Sequence, residues 1–123
     1  MGVGELLAIA PQLISKRPTL KFIFVVPEYN GSFPGVVKAL IDVLPRSVWI
    51  NKKAALVGVA AGRAGNIRGL DHLTNILNYM GVIVLPQKIY LSQVESLVNQ
   101  EHEIIDVSTI EAIKTQIKGF SQF

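Results

Sequence analysis

Two short polar segments, each placed directly after an apolar run, carry the residues of this sequence that could do chemistry. The first segment, residues 27–32, reads Pro-Glu-Tyr-Asn-Gly-Ser and combines a carboxylate, a phenol, an amide and a flexible glycine. Backbone donors and acceptors beside an aromatic face suit a planar heteroaromatic ligand better than a metal ion. A plain turn is the alternative interpretation, because Pro, Asn and Gly are all turn formers.

The second segment, residues 60–66, reads Ala-Ala-Gly-Arg-Ala-Gly-Asn and precedes a predicted helix. Together with Gly58 it is similar to a generic anion site, because the first turn of a helix presents free N–H groups. The glycine spacing matches neither the dinucleotide-binding pattern nor the P-loop pattern. A close approach between a strand and a helix would require the same glycines, so both interpretations stay open.

The remaining polar residues predict neither a catalytic residue nor a metal site. We expect His72 to be exposed or satisfied in the core. His102 stands in a Glu-His-Glu sequence without a spaced partner, which is typical of a solvated loop. No serine has the setting of a hydrolase nucleophile, and Ser32 is predicted to cap the following helix. Trp49 is predicted to pack in the core or at an interface, with a stacking role still open.

Three apolar runs supply the strands that must position these segments. They cover residues 20–26, 54–60 and 82–91, and the third is interrupted at Pro86. Runs that are apolar on both faces indicate parallel strands covered on both sides by helices.

Four amphipathic patterns flank and separate the runs, the first within residues 1–17. Asn66 is a possible cap of the third helix, Gly81 its stop, and residues 108–111 form a capping box for the last. The order predicts a doubly wound parallel α/β fold. The four apolar stripes are Leu6, Ile9, Ala10 and Leu13; Val37, Leu40, Ile41 and Leu44; Leu70, Leu73 and Leu77; and Ile113, Ile117 and Phe120.

Length and composition set the class of protein. The 123 residues are 50% hydrophobic and contain no cysteine, which predicts one domain over residues 1–123 without disulfides, thiol chemistry or iron–sulfur ligation. The net charge of +3 is spread along the chain, which argues against nucleic acid as a partner. The longest apolar stretch, residues 54–61, is too short to span a membrane, and the first residues lack the basic flank of a signal peptide. We therefore expect a cytoplasmic protein.

Residues 27–42, PEYNGSFPGVVKALID, resemble the signature of the NADPH-dependent FMN reductase family, the flavodoxin-like group that also holds azoreductases and quinone or chromate reductases. In that family a PEYNGS-type loop is followed by a proline and a lysine-containing helix that ends in Asp. Residues 62–65, Gly-Arg-Ala-Gly, are similar to the family's second flavin loop. The resemblance runs from about residue 19 to residue 123.

The resemblance implies that FMN lies across the ends of the strands and that NADPH is the co-substrate. Tyr29 and Asn30 would be the side chains nearest the isoalloxazine ring, and residues 62–66 would hold its pyrimidine end. Arg63 would neutralise a reduced flavin or a nicotinamide phosphate, or else point to solvent. The implied cofactor-binding residues are Pro27, Glu28, Tyr29, Asn30, Gly31, Gly62, Arg63, Ala64, Gly65 and Asn66.

The sequence departs from the family pattern in three places. Asn66 stands where a second glycine is common, and Val43 stands where Trp often follows the Asp. The family's phosphate-binding loop follows its first strand, and nothing of that kind precedes Leu20. The chain therefore resembles a flavodoxin-like sheet that lacks its first two strands and the phosphate loop.

Two functions follow from this resemblance. In the first, a hydride passes from the nicotinamide to the flavin and then to a quinone, azo or flavin acceptor, with no acid–base pair from the protein. In the second, a truncated half-flavodoxin without flavin acts as an oligomerisation or interaction module, or is a fragment whose function belongs to a longer chain. The family usually forms dimers or tetramers, so the resemblance implies a homodimer or homotetramer, and an unpaired sheet edge would favour association.

Overall fold

A four-stranded parallel sheet forms the centre of the computed structural model. The structure describes residues 2–123, except for the side chains of residues 3, 6, 7 and 10 in the first helix. The helices are α1 (Val3–Ser15), α2 (Gly35–Val43), α3 (Ile67–Tyr79) and α4 (Val107–Gln122). The strands are β1 (Lys21–Pro27), β2 (Lys53–Val59), β3 (Ile83–Val84) and β4 (Ile89–Leu91). This arrangement confirms the predicted α/β class with a parallel sheet.

Strand β2 is the central strand, because β1 pairs along one of its edges and both β3 and β4 pair along the other. The third apolar run thus forms two strands rather than one, separated at Pro86, which has no N–H to donate to a ladder. At this break the side-chain amide of Gln116 donates to the main-chain oxygens of Leu56 (3.0 Å) and Gln87 (3.1 Å). Helix α4 therefore supplies the hydrogen bonds that the interrupted strand cannot.

One face of the sheet is covered by α2 and α3. The predicted leucine stripe of α3 is confirmed, since Leu70, Leu73 and Leu77 are wholly buried in this core. Trp49 packs in the same core, with ring centroids 5.3 Å from Phe22 and 6.5 Å from Phe24, so the packing interpretation of this residue holds. In α2 the prediction is wrong for Leu40, which is 42% exposed, whereas Ile41 is buried.

Helix α4 packs on the other face against β2 and β4. It reaches β1 at Lys21, whose ammonium donates to the main-chain oxygen of Phe120 at 2.7 Å. Further along this face of β1, Ile23 and Val25 are 57% and 61% exposed, while their partners Ala55 and Val57 on β2 are buried. The expectation that each strand is covered on both sides is therefore wrong for β1. Strand β1 also has β2 as its one neighbour within the described residues.

The two terminal helices differ in detail from their predictions. In α1, Ile9 and Leu13 of the predicted stripe are exposed, whereas Ile14 packs against the core. The side chains of Leu6 and Ala10, which belong to the same stripe, and the whole of Met1 lie outside the described part of the chain. The capping box predicted at 108–111 is wrong.

Helix α4 begins two residues earlier, at Val107, with Asp106 as its N-cap, because the Asp106 carboxylate accepts the N–H of Thr109 at 2.8 Å. No helix among residues 2–123 is both long enough and apolar enough to cross a membrane.

Candidate functional site

The first loop, residues 28–33, makes a tight reversal directly after β1. Tyr29 and Ser32 exchange main-chain hydrogen bonds of 2.8 and 3.2 Å, and the two residues between them, Asn30 and Gly31, have φ angles of 51° and 79°. Two successive left-handed residues are what a type I′ turn requires, and Asn-Gly is the pair that adopts it most easily. The polar sequence that suggests a ligand loop is therefore also sufficient to specify this turn.

The second loop, residues 60–66, follows β2 and is held by close main-chain packing. A Cβ atom at Gly58 would lie 2.3 Å from the oxygen of Gly65, and one at Gly65 would lie 2.7 Å from the Cβ of Tyr90. These two glycines therefore serve a close approach between chain segments. Gly62 is different, because the space where its Cβ would point is open.

Asn66 joins the two loops. Its side chain is fully buried, and the amide nitrogen donates to the main-chain oxygens of Val26 (3.1 Å) and Pro27 (3.0 Å). Its own N–H donates to the Glu28 carboxylate at 3.2 Å. Asn66 takes the N-cap position of α3 with φ 63°, yet its side chain makes no capping bond, so that part of its prediction is wrong. In this left-handed conformation, the side chain of Asn66 bonds to the end of β1 instead of capping α3.

Two further side chains of α3 reach the first loop. The Ser32 hydroxyl lies 2.8 Å from Nδ1 of His72, and the Arg68 guanidinium lies 3.0 Å from the point where a Cβ of Gly31 would stand. Ser32 is therefore not the cap of α2, which begins after Pro34 without a side-chain cap. His72 is exposed, as expected. Sequence reasoning did not foresee that α3 contacts the loop through these residues.

A cleft of about 390 Å³ lies between the two loops, within the size range of small-molecule sites. Only Glu28 and Arg63 among its lining residues carry charge, and the rest are Asn, Gly or Ala. Much of the wall is therefore main chain. The lining residues are Glu28, Asn30, Gly31, Ala60, Ala61, Gly62, Arg63 and Ala64.

Six of the ten predicted site residues line this cleft. Pro27, Tyr29, Gly65 and Asn66 do not line it: Tyr29 is 61% exposed beside the turn, and Gly65 and Asn66 are buried beneath the second loop. Ala60 and Ala61 line the cleft without having been predicted, although they belong to the segment already singled out. Small side chains carry no chemical signal of their own, which is why they were missed.

Tyr90 forms the support beneath the second loop. Its backbone and Cβ pack against Gly65, and partial burial raises the pKa of its phenol, with the nearby charge of Asp71 raising it further. Asp71 also lies 3.6 Å from the ammonium of Lys88. The phenol of Tyr90 therefore remains protonated at neutral pH.

Among the described residues, no three His, Asp or Glu side chains come together. His102 is exposed, with φ 61°, in a loop where Asn99 accepts the N–H groups of residues 101 and 103. A solvated loop is therefore what the structure shows there.

The fold agrees with a family match. A sequence profile described as NADPH-dependent FMN reductase matches residues 21–96, more than half of the chain and both loops. The chain belongs to the NADPH-dependent FMN reductase family.

Individual relatives carry related names. The chain is 31% identical over 98 residues to a 2-hydroxy-1,4-benzoquinone reductase of Burkholderia, a match that covers 76% of this chain and 54% of that protein. It is 31% identical over 101 residues to an NAD(P)H-dependent FMN reductase of Pseudomonas aeruginosa, covering 79% of this chain and 55% of that protein. The chain spans about half the length of the curated relatives it matches.

Among solved structures, the chain is similar to FerB, a flavoenzyme NAD(P)H:(acceptor) oxidoreductase from Paracoccus denitrificans. The TM-score is 0.78 at 23% sequence identity, over 94% of this chain and 65% of that one. This likeness confirms the flavodoxin-like fold.

Proposed function

We propose that this chain provides the ring-binding part of an NAD(P)H-dependent FMN reductase. The single observation that carries the proposal is the cleft between the two loops, at the carboxyl ends of β1 and β2, where open parallel sheets bind their ligands. Family membership over residues 21–96 supports it, because the matched region contains both loops.

The residues present fit a flat ring system. Gly62 leaves the wall open where any other residue would place a side chain. Asn30, exposed at the tip of the turn, offers an amide donor and acceptor to the edge of a ring. Arg63, on the opposite loop, offers the positive charge that a reduced ring would attract.

When bound, FMN would supply hydride transfer between NADPH and a quinone, azo or flavin acceptor. The chain's own residues would orient the ring and exclude water from one of its faces. The proton that the acceptor takes up along with the hydride would come from water, so none of these residues would need to move one. A cytoplasmic location and assembly as a homodimer or homotetramer are parts of the same proposal.

A second candidate function is an interaction module that binds no flavin. Strand β1 favours it, because Ile23 and Val25 are more than half exposed on a strand that has β2 as its one neighbour within the described residues. Exposed apolar residues beside unpaired main-chain groups are typical of a surface that another polypeptide covers.

Titration of the purified chain with FMN, followed by flavin fluorescence and visible absorbance, separates the two functions. We expect saturable binding by the wild type and its loss in Gly62→Val, whose side chain would enter the cleft. Gly35→Val is the matched control, because Gly35 also has open space around it but lies outside the cleft. A chain that folds but takes up no FMN would overturn the reductase proposal and leave the interaction module.

A further inference from the structure

Glu28 holds a position in the cleft that an anionic ligand group would otherwise prefer. The first N–H groups of a helix have no partner within the helix and attract anions. At the start of α3, the N–H of Asn66 donates instead to Oε2 of Glu28, at 3.2 Å. A carboxylate from the first loop therefore serves as the anion at this end of α3.

The carboxylate is also fixed from its own side. The main-chain N–H of Glu28 donates to the oxygen of Val59 at 2.8 Å, which extends the pairing of β1 with β2 by one residue. Glu28 is half-buried, and the salt bridges found among residues 2–123 do not include it. Its negative charge therefore faces the cleft without an ion-pair partner.

We propose that Glu28 makes this cleft selective for the ring system of a flavin over its phosphate, so that riboflavin and FMN bind to this chain with similar affinity. The inference rests on the proposed function, because it requires that the cleft accept a flavin ring. A phosphate dianion brought to the start of α3 would meet a fixed carboxylate and an N–H already in use. The ring, being uncharged in its oxidised form, meets no such repulsion.

Parallel titrations with riboflavin and FMN, followed by quenching of flavin fluorescence, test the proposal. For the wild type we expect dissociation constants that agree within about threefold, a difference of less than 1 kcal/mol. In Glu28→Ala the N–H is released and the charge removed, so FMN should gain about fivefold over riboflavin through the reduced repulsion. Glu101→Ala, which removes a carboxylate from an exposed loop outside the cleft, should leave the ratio unchanged.

Inorganic phosphate provides a readout without flavin. We expect the amide resonance of Asn66 to shift with added phosphate in Glu28→Ala and to stay in place in the wild type. Glu28→Gln, which keeps the shape of the side chain, serves if the alanine variant does not fold, and it should move the flavin ratio in the same direction.

FMN binding more than about tenfold tighter than riboflavin in the wild type would overturn the inference, since that factor is a phosphate contribution of about 1.4 kcal/mol. An unchanged ratio in both Glu28 variants would do the same. Either result leaves the proposed function standing, because a flavin still binds. If neither flavin binds, the proposed function fails, and this inference fails with it.

Discussion

The side-chain nitrogen of Asn66 lies 3.1 Å from the main-chain oxygen of Val26, which fastens the start of α3 to the last residues of β1. The contact is fully buried, and the same nitrogen also reaches the oxygen of Pro27 at 3.0 Å. This amide group therefore links the two loops that border the cleft, together with the bond from the main-chain N–H of Asn66 to the Glu28 carboxylate.

Replacing Asn66 by glycine should separate the contribution of this amide from that of the backbone conformation. Glycine keeps the left-handed φ, but it removes the side-chain donor to two main-chain oxygens, at a cost of about 2 kcal/mol in the free energy of unfolding. Asn51→Gly is the control, because Asn51 has a φ of 62° and is exposed. Urea unfolding should show a large loss at position 66 and less than about 0.5 kcal/mol at position 51. Equal losses would refute the role assigned to the amide.

The glycines of the second loop should differ sharply in their tolerance of alanine. Gly65 has a φ of 58° and no room for a Cβ beside Tyr90, so Gly65→Ala should cost roughly 2–4 kcal/mol. Gly62→Ala meets open space and should change stability by less than about 0.5 kcal/mol. Thermal melts of the two variants measure the difference, and similar melting temperatures would contradict the packing described here.

Gln116 should be essential to the broken edge of the sheet. Gln116→Leu keeps the volume of this buried side chain but removes the donor to Leu56 and Gln87, which should cost about 1–3 kcal/mol. Gln122→Leu changes an exposed residue of the same helix and should be nearly neutral. Hydrogen exchange offers a second measurement, since the amides of β4 should lose protection in the first variant alone. Retained protection there would mean that the strand does not depend on α4.

Asp106 should make stability depend on pH in the acid range. The hydrogen bonds from Thr109 lower the pKa of this carboxyl below its ordinary value of 3.8. A lowered pKa means that the stabilisation is complete above the unfolded value and is lost as the pH falls through the folded one. Asp106→Asn keeps a capping oxygen without the charge, so wild type and variant should differ at about pH 6 and converge towards about pH 3. A difference that is constant across this range would exclude the charge as its source.

Much of the fold could be predicted from the sequence, because local periodicity reports local structure. Leu70, Leu73 and Leu77 recur at helical spacing, and all three are buried in α3. The apolar run of β1 also identified a strand. Its sequence could not show that Ile23 and Val25 are exposed, since hydrophobicity tells which contacts a residue favours, whereas burial depends on which elements lie beside it.

The residues of the candidate site were predicted less completely than the strands. Polar segments at strand ends indicated both loops, and six of the ten expected residues line the cleft. The contacts of Ser32 with His72 and of Asn66 with Val26 join residues 40 positions apart, so no local pattern contains them. Residues 108–111 do match the capping-box pattern, but the helix is capped instead by the Asp106 carboxylate, two residues before Ser108.

Main-chain atoms and small residues form most of the wall of the cleft, so its ligand preference can be altered by substituting a few exposed side chains. Ala61, Arg63 and Ala64 are exposed side chains on a frame that Gly58, Gly65 and Asn66 hold from beneath. Substitutions at these three positions would alter what the cleft accepts while the frame keeps its form. A small library at 61, 63 and 64 would therefore offer a compact route to new ligand preferences, whether explored by natural drift or by selection in the laboratory.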